Sequence, residues 1–204
     1  MALTTDIWAV TPSFSATLYR DAAVISGAGD VTLKTNQPLD NGAGYKLSIL
    51  SVGNSSGMNF TIVGYKVGDL TNTPTTEVLT GPTAGNTVET TNYYSLITSV
   101  TASAAATGNI SIGTLITDGV ALPRTRMKGF YFVGSAGAGS VTLTLNGNAA
   151  SDKVLLSIAT PAAVESQQMA LPGDGILING TDALASFGVL TQTAAVTSLT
   201  VFCG

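Results

Sequence analysis

The sequence predicts an all-β protein made of two tandem β-sandwich or jelly-roll-like domains with an N-terminal arm. Apolar and polar residues alternate with a period of two, as at Tyr45, Leu47 and Ile49, which is typical of strands with one buried face. Turn-forming Asn, Gly, Pro and Asp recur roughly every 8–12 residues, the spacing of sandwiches and barrels. Thr and Val are abundant, and both favour pleated, half-buried positions.

The first 26 residues differ from the rest because they lack clear turn signals. They contain the only tryptophan, Trp8, together with Phe14 and Tyr19. One interpretation is an arm that docks on a neighbouring subunit through these three aromatic residues. The other is an ordinary first strand of the first domain, and the sequence leaves both open.

Two β-domains are predicted to follow, at residues 27–116 and 117–204. The boundary is placed where turn residues cluster and the strand pattern restarts near Lys128. Two internal echoes suggest a similar design: residues 27–33 resemble 137–143, and residues 97–101 resemble 196–200. Tandem duplication explains these echoes, but so does chance in a chain rich in Gly, Ala, Thr and Val.

Composition indicates a protein that packs against other subunits. Charged residues make up 10% of the chain, whereas soluble domains carry roughly 25%. A surface of Thr, Ser, Asn, Gly and Ala loses less hydration on contact than a surface of ions does. We therefore expect a homo-oligomer or a larger assembly, although a soluble monomer with few charges is the simpler alternative.

Charge and hydropathy also predict which partners are absent. The net charge is −4 with eight basic residues, which argues against a nucleic-acid partner. No apolar run approaches the ~18 residues of a membrane span, and no basic, apolar leader begins the chain, so we expect no membrane partner and synthesis in a cytoplasm.

The residue types needed for common catalytic sites are scarce. The chain has no histidine, which excludes Ser-His-Asp and Cys-His arrangements, and its only cysteine, Cys203, can form neither an intrachain disulfide nor a Cys-based zinc site. The acidic residues are dispersed, and no calcium-loop spacing occurs. We predict a non-enzymatic protein with no cofactor and no metal.

One basic constellation stands out, formed by Arg124, Arg126 and Lys128. In an extended segment, residues two apart lie on the same face, so these three side chains should form one patch. The patch would either contact an acidic surface on a partner or keep a solvent-exposed edge strand from aggregating.

Several stretches resemble known virion modules. A hairpin, a turn and a strand in the first half resemble a module common in structural proteins of tailed phages, at residues 51–64 (SVGNSSGMNFTIVG), 77–82 (EVLTGP) and 108–114 (GNISIGT). The second half is similar to a C-terminal module of marine-phage virion proteins, at residues 128–131, 155–161, 171–176 and 201–204. Tyr often replaces Cys203 in that module.

The resemblance implies a virion structural protein synthesised in the host cytoplasm. The first expectation is a capsid decoration, or cement, protein on the capsid surface, which binds and stabilises the major capsid protein or another virion protein. Such proteins are often trimers, so a homotrimer is favoured. The alternative is a tail, collar or fibre-base component of the host-attachment apparatus.

Overall fold

A computed structural model of the chain describes the following residues, to which all structural statements refer: 8–10, 14–35, 43–67, 72–115, 119–122, 125–134, 139–145, 153–160, 166–171, 173, 175–178, 188–192 and 196–203. The prediction of an all-β protein is confirmed. Regular structure in the described part of the chain consists of antiparallel strands, with no helix.

The chain divides into two compact units. The N-terminal unit comprises Ser13–Leu39 and Gly44–Asp118, and the C-terminal unit comprises Met1–Pro12, Asp40–Ala43 and Gly119–Gly204. The predicted boundary between the two domains lies after residue 116, and the main division between the two units lies after residue 118. The predicted 1–26 segment is shared between the two units.

The N-terminal unit contains nine described strands: β2 (Arg20–Val24), β3 (Gly29–Asp30), β4 (Gly44–Tyr45), β5 (Ser48–Ser51), β6 (Asn59–Lys66), β7 (Thr75–Thr80), β8 (Thr87–Glu89), β9 (Tyr94–Ala102) and β10 (Asn109–Gly113). One sheet has the order β2-β10-β5-β8. In the other, β4, β9, β6 and β7 are neighbours in that order, and β3 also pairs with β9. Both sheets contribute to one core, which gives this unit a sandwich-like architecture.

Alternation along the strands explains this core. Ile49, Ile110 and Ile112 of the first sheet and Phe60 and Ile62 of the second have no solvent exposure, and all five belong to one hydrophobic cluster. Their neighbours in sequence are mostly polar. Each fully buried side chain of this kind stabilises the fold by about 1.5–3 kcal/mol relative to an exposed one.

The C-terminal unit also contains nine described strands: β1 (Trp8–Val10), β11 (Val120–Leu122), β12 (Thr125–Gly134), β13 (Gly139–Leu145), β14 (Lys153–Thr160), β15 (Ser166–Ala170), β16 (Ile176–Ile178), β17 (Gly188–Gln192) and β18 (Val196–Cys203). One sheet has the order β1-β18-β12-β15, with β16 also paired to β12. In the other, β14, β13, β17 and β11 are neighbours in that order.

The two sequence echoes do not occupy equivalent places. Residues 29–30 and 101–102 pair directly, as β3 with β9. Their counterparts lie in β13 and β18, which belong to different sheets of the C-terminal unit. Because the paired elements differ, the structure favours the chance explanation for these echoes over tandem duplication.

The N-terminal strand β1 pairs with the last strand. Trp8 lies opposite Cys203 and Val10 opposite Val201 in an antiparallel register.

This register can be tested with a disulfide, because opposed Cα atoms in such a pair are about 4.5–5.5 Å apart, a distance that suits a disulfide. We expect Trp8→Cys to form a disulfide with Cys203 under oxidising conditions, detected as faster migration on a non-reducing gel. Val10→Cys, two residues out of register with Cys203, is the control; equal oxidation of both variants would contradict the register.

Candidate functional site

The first candidate feature is the hairpin turn within residues 51–64. The Ser51 hydroxyl donates to the Gly53 carbonyl at 2.6 Å and lies 2.8 Å from the Ser55 hydroxyl. The Asn54 side-chain oxygen accepts the Ser56 amide at 3.1 Å. Short polar side chains of this kind favour turns because they bond to nearby backbone. The turn is therefore fixed by its own Ser and Asn residues.

The second motif stretch packs against this turn. The Ser55 amide donates to the Pro82 carbonyl at 2.9 Å, and the Gly81 amide donates to the Met58 carbonyl at 2.8 Å. Gly81 lies so close to Ser55 that a Cβ there would collide with the Ser55 carbonyl oxygen. Only glycine fits this approach.

The third motif stretch completes the arrangement. The Thr107 hydroxyl donates to the Asn54 carbonyl at 2.6 Å. Gly53 and Gly108 face each other, and a Cβ on Gly53 would lie 2.8 Å from the Gly108 nitrogen. The three stretches thus meet in one place, which we call the turn cluster (residues 51–58, 80–82 and 107–108). Its hydrogen bonds and close glycine contacts hold the hairpin turn against residues 80–82 and 107–108, so the cluster positions the strands that enter and leave it.

The second candidate feature is the Glu77 network, formed by Glu77, Thr91, Asn92 and Tyr94. The Glu77 carboxylate accepts the Thr91 amide at 2.5 Å, the Asn92 amide at 3.2 Å and the Asn92 side-chain nitrogen at 2.7 Å. The Tyr94 hydroxyl donates to it at 3.2 Å. Hydrogen bonds to an ionised acceptor are stronger than neutral ones. The network ties β7 to the loop before β9.

The Glu77 network perturbs the buried tyrosine. Tyr94 has no solvent exposure. Burial, together with the nearby Glu77 carboxylate, raises the pKa of the Tyr94 hydroxyl well above its usual 10.0. The neutral phenol is therefore strongly preferred in the folded protein.

This pKa predicts a loss of stability in alkali. Above about pH 10 the unfolded chain releases the Tyr94 proton while the folded chain retains it, so the free energy of unfolding falls by about 1 kcal/mol by pH 11. We expect Tyr94→Phe to lose less stability than the wild type between pH 9 and pH 11, measured as urea midpoints. The difference between the two proteins is the quantity that counts; parallel curves would contradict the assignment.

The aromatic residues of the predicted arm do not share one environment. Tyr19 is 1% exposed and belongs to the core of the N-terminal unit, so its assignment as a partner contact is wrong. Phe14 is half-buried and meets the Tyr45 ring edge-on, with centroids 5.8 Å apart and the rings at 74°. Trp8 lies in β1, and its side chain is outside the described part. Docking of this segment on a neighbour stays a prediction.

The basic patch falls partly outside the described residues. Arg124 lies outside them, and Arg126 is described by its backbone, which pairs with Leu177 of β16. Lys128 is half-buried, and its carbonyl accepts the Leu171 amide at 2.8 Å. The contact proposed for this patch stays a prediction.

A β-bulge interrupts the alternation on which the patch was based. The pairing of β12 with β18 shifts register between Met127 and Gly129. Met127 and Phe130 are both buried, although they are three residues apart and would face opposite ways in a regular strand. The assumption of strict alternation from residue 124 to 128 was therefore wrong. The bulge adds one residue to the strand at Lys128, so the side chains after it no longer alternate in step with those before it.

The outer face of the second sheet in the N-terminal unit is the third candidate feature. Cross-strand pairs place three rows of side chains on it: Val78 with Thr61 and Thr101, Thr76 with Val63 and Ser99, and Thr80 with Asn59. We call these eight residues the uncharged face. Their neighbours Phe60, Ile62 and Val100 point the other way, into the core. The face therefore presents hydroxyl, amide and methyl groups across three strands, and exposed Asp30 of β3, opposite Thr101, borders it on the far side of β9.

A shallow cleft of about 300 Å³ lies beside this face, lined by residues 30–31, 33–35 and 98–100. Its Lys34 ammonium forms an exposed ion pair with Asp21 at 2.7 Å. Exposed pairs of this kind contribute about 0–1 kcal/mol.

Within the described residues, no group of three His, Cys, Asp or Glu side chains is arranged to hold a metal ion. No helix in the same part of the chain is long and apolar enough to cross a membrane.

The sequence did not identify the Glu77 network. In the sequence, Glu77 stands out only as the first residue of the turn stretch 77–82, and no pattern marks Asn92 as a hydrogen-bonding partner. The available hint was a single acidic residue in a strand otherwise made of Thr, Val and Leu. Its partners lie 14–17 residues away and become visible only once the strands are paired.

Comparison with protein-family models, with curated proteins and with solved structures finds no match for the chain.

Proposed function

We propose that the chain is a virion structural protein of the capsid decoration type, which binds the outer surface of a major capsid shell and stabilises it. It acts as a homo-oligomer, with a trimer favoured, and each unit is a sandwich or jelly-roll-like domain. Its role is to join neighbouring capsid subunits through many modest contacts.

The observation that carries this proposal is the uncharged face. Thr, Ser, Asn and Val side chains cover three paired strands there, backed by a core that includes Phe60 and Ile62. Covering these eight side chains desolvates no ion, so a contact that stops short of Asp30 at the β3 margin loses little hydration energy. A rigid sheet also loses little conformational entropy when it docks. Both properties suit a protein that covers a large shell.

The resemblance of residues 51–64, 77–82 and 108–114 to tailed-phage structural proteins supports the virion setting. These stretches form the turn cluster, where they contribute close backbone packing. The resemblance therefore concerns the scaffold on which the uncharged face is built.

A binding experiment with capsids tests the proposal. Purified protein is added to undecorated capsids of the phage that encodes it, and bound protein is measured after sedimentation. We expect saturable binding and a higher capsid melting temperature. Absence of binding would overturn the decoration role and leave the alternative, a tail, collar or fibre-base component, which predicts co-purification with isolated tails.

A further inference from the structure

Strand β7 forms one edge of the second sheet of the N-terminal unit. It pairs with β6 through six consecutive residue pairs, from Asn59 with Thr80 to Gly64 with Thr75, without a register shift. The pairing of β6 with β9 shifts twice over a similar length. The outer edge of β7 is therefore a regular row of backbone donors and acceptors.

Edge strands are usually protected against pairing by charged side chains that point outward or inward, by proline, by bulges, by short length or by a covering helix or loop. In β7 the outward side chains are Thr76, Val78 and Thr80, and Val78 is 59% exposed. Its one charged residue, Glu77, is turned towards the loop before β9 and bonded there. Of the usual protections, the described part of this edge has the inward-pointing charge of Glu77, and it has no outward-facing charge, no proline and no bulge.

The two edges of the β2-β10-β5-β8 sheet differ from β7. The edge strand β2 contains Arg20 and Asp21, and the edge strand β8 has three residues and ends at Glu89. Both carry charge, and β8 is short. These two edges therefore carry an exposed charge, Asp21 or Glu89, whereas β7 presents only uncharged side chains on its exposed face, which points to a use for that edge.

We propose that β7 pairs antiparallel with β7 of a second copy of this chain, about a twofold axis at Val78. In this register Val78 faces its own equivalent, and Thr76 faces the second copy's Thr80. Pairs of β-branched residues at opposed positions stabilise a sheet. Glu77 lies opposite the second copy's Leu79, so the two carboxylates are offset and no like charges are opposed.

A second copy fits this edge better than a charged partner does. Twofold pairing satisfies the same backbone groups on both sides, because an isologous contact is self-complementary. The residues of the uncharged face next to the edge offer no counter-ion, so a Lys or Glu brought by another protein would be desolvated without a partner.

The contact is small by comparison with stable dimers. A six-residue strand pair lies well below the roughly 800 Å² per partner of a standard interface. It is therefore weak between free molecules and becomes effective when copies are held side by side, as on the proposed shell. A twofold contact does not by itself build a trimer, so it would link neighbouring oligomers. The pairing itself does not depend on the capsid role.

Disulfide trapping tests the proposal directly. Val78→Cys is made in a Cys203→Ser background, with Val52→Cys as the control, since Val52 is 65% exposed but lies just after the interior strand β5. Under mild oxidation we expect disulfide-linked dimers of the Val78→Cys protein to form at least about tenfold faster than those of the control, because opposed Cα atoms in the pair suit a disulfide. Equal rates would overturn the proposal.

A charge substitution gives a second readout. Val78→Lys places two like charges opposite each other and should weaken wild-type self-association by at least about tenfold in sedimentation equilibrium, whereas Val52→Lys should leave it unchanged. Equal effects of the two lysines, or a wild type that stays monomeric at millimolar concentration, would overturn the pairing. Capsid binding by the same variants is scored separately, so failure of edge pairing is distinguishable from failure of the decoration role.

Discussion

Replacing Gly81 with alanine is expected to lower the free energy of unfolding by about 3 kcal/mol. A Cβ at this position would collide with the Ser55 carbonyl oxygen, which is backbone and cannot move without displacing the hairpin turn. The same shift would strain the bond from the Ser55 amide to the Pro82 carbonyl. Urea denaturation followed by circular dichroism measures the change.

Gly57→Ala is the matched control, because it lies in the same turn cluster and a Cβ there would have no atom within 4 Å. We expect its stability to stay within about 0.5 kcal/mol of the wild type. If Gly81→Ala is no more destabilising than Gly57→Ala, the close packing of the turn cluster is refuted.

Glu77→Ala is expected to cost about 2–4 kcal/mol of stability. The substitution leaves the Thr91 amide, both Asn92 nitrogens and the Tyr94 hydroxyl without their shared acceptor. Glu77→Gln keeps one acceptor oxygen but loses the charge, so it should fall between the wild type and Glu77→Ala. Thermal and urea unfolding measure all three proteins.

Glu89→Ala is the control for loss of a carboxylate, since Glu89 is exposed on the short edge strand β8. Its stability should change by less than about 0.5 kcal/mol. A Glu77→Ala protein as stable as Glu89→Ala would show that the network does not hold β7 to the loop before β9.

Where alternation was strict, the sequence predicted strands and burial well. Met58, Phe60 and Ile62 were expected on one face, and their exposure is 3%, 0% and 0%. Val141 and Leu143 are likewise 1% and 0% exposed. The reason is physical, because a period of two leaves one face apolar and that face must be buried.

Prediction failed where it depended on pairing. Tyr19 lies in a segment without clear alternation, so its burial could not be deduced from its neighbours. The bulge between Met127 and Gly129 depends on the opposing strand, which no local pattern reveals. The division of the first residues between two units, with β1 beside β18, likewise depends on contacts between the two ends of the chain.

Electron cryo-microscopy tests the proposed decoration role most directly, because it shows whether and where density for this chain lies in a virion particle. We predict density for both units on the outer surface of the capsid shell, with the uncharged face against capsid protein or a neighbouring copy. Density confined to the tail, collar or fibre base, with a bare shell, would contradict the account.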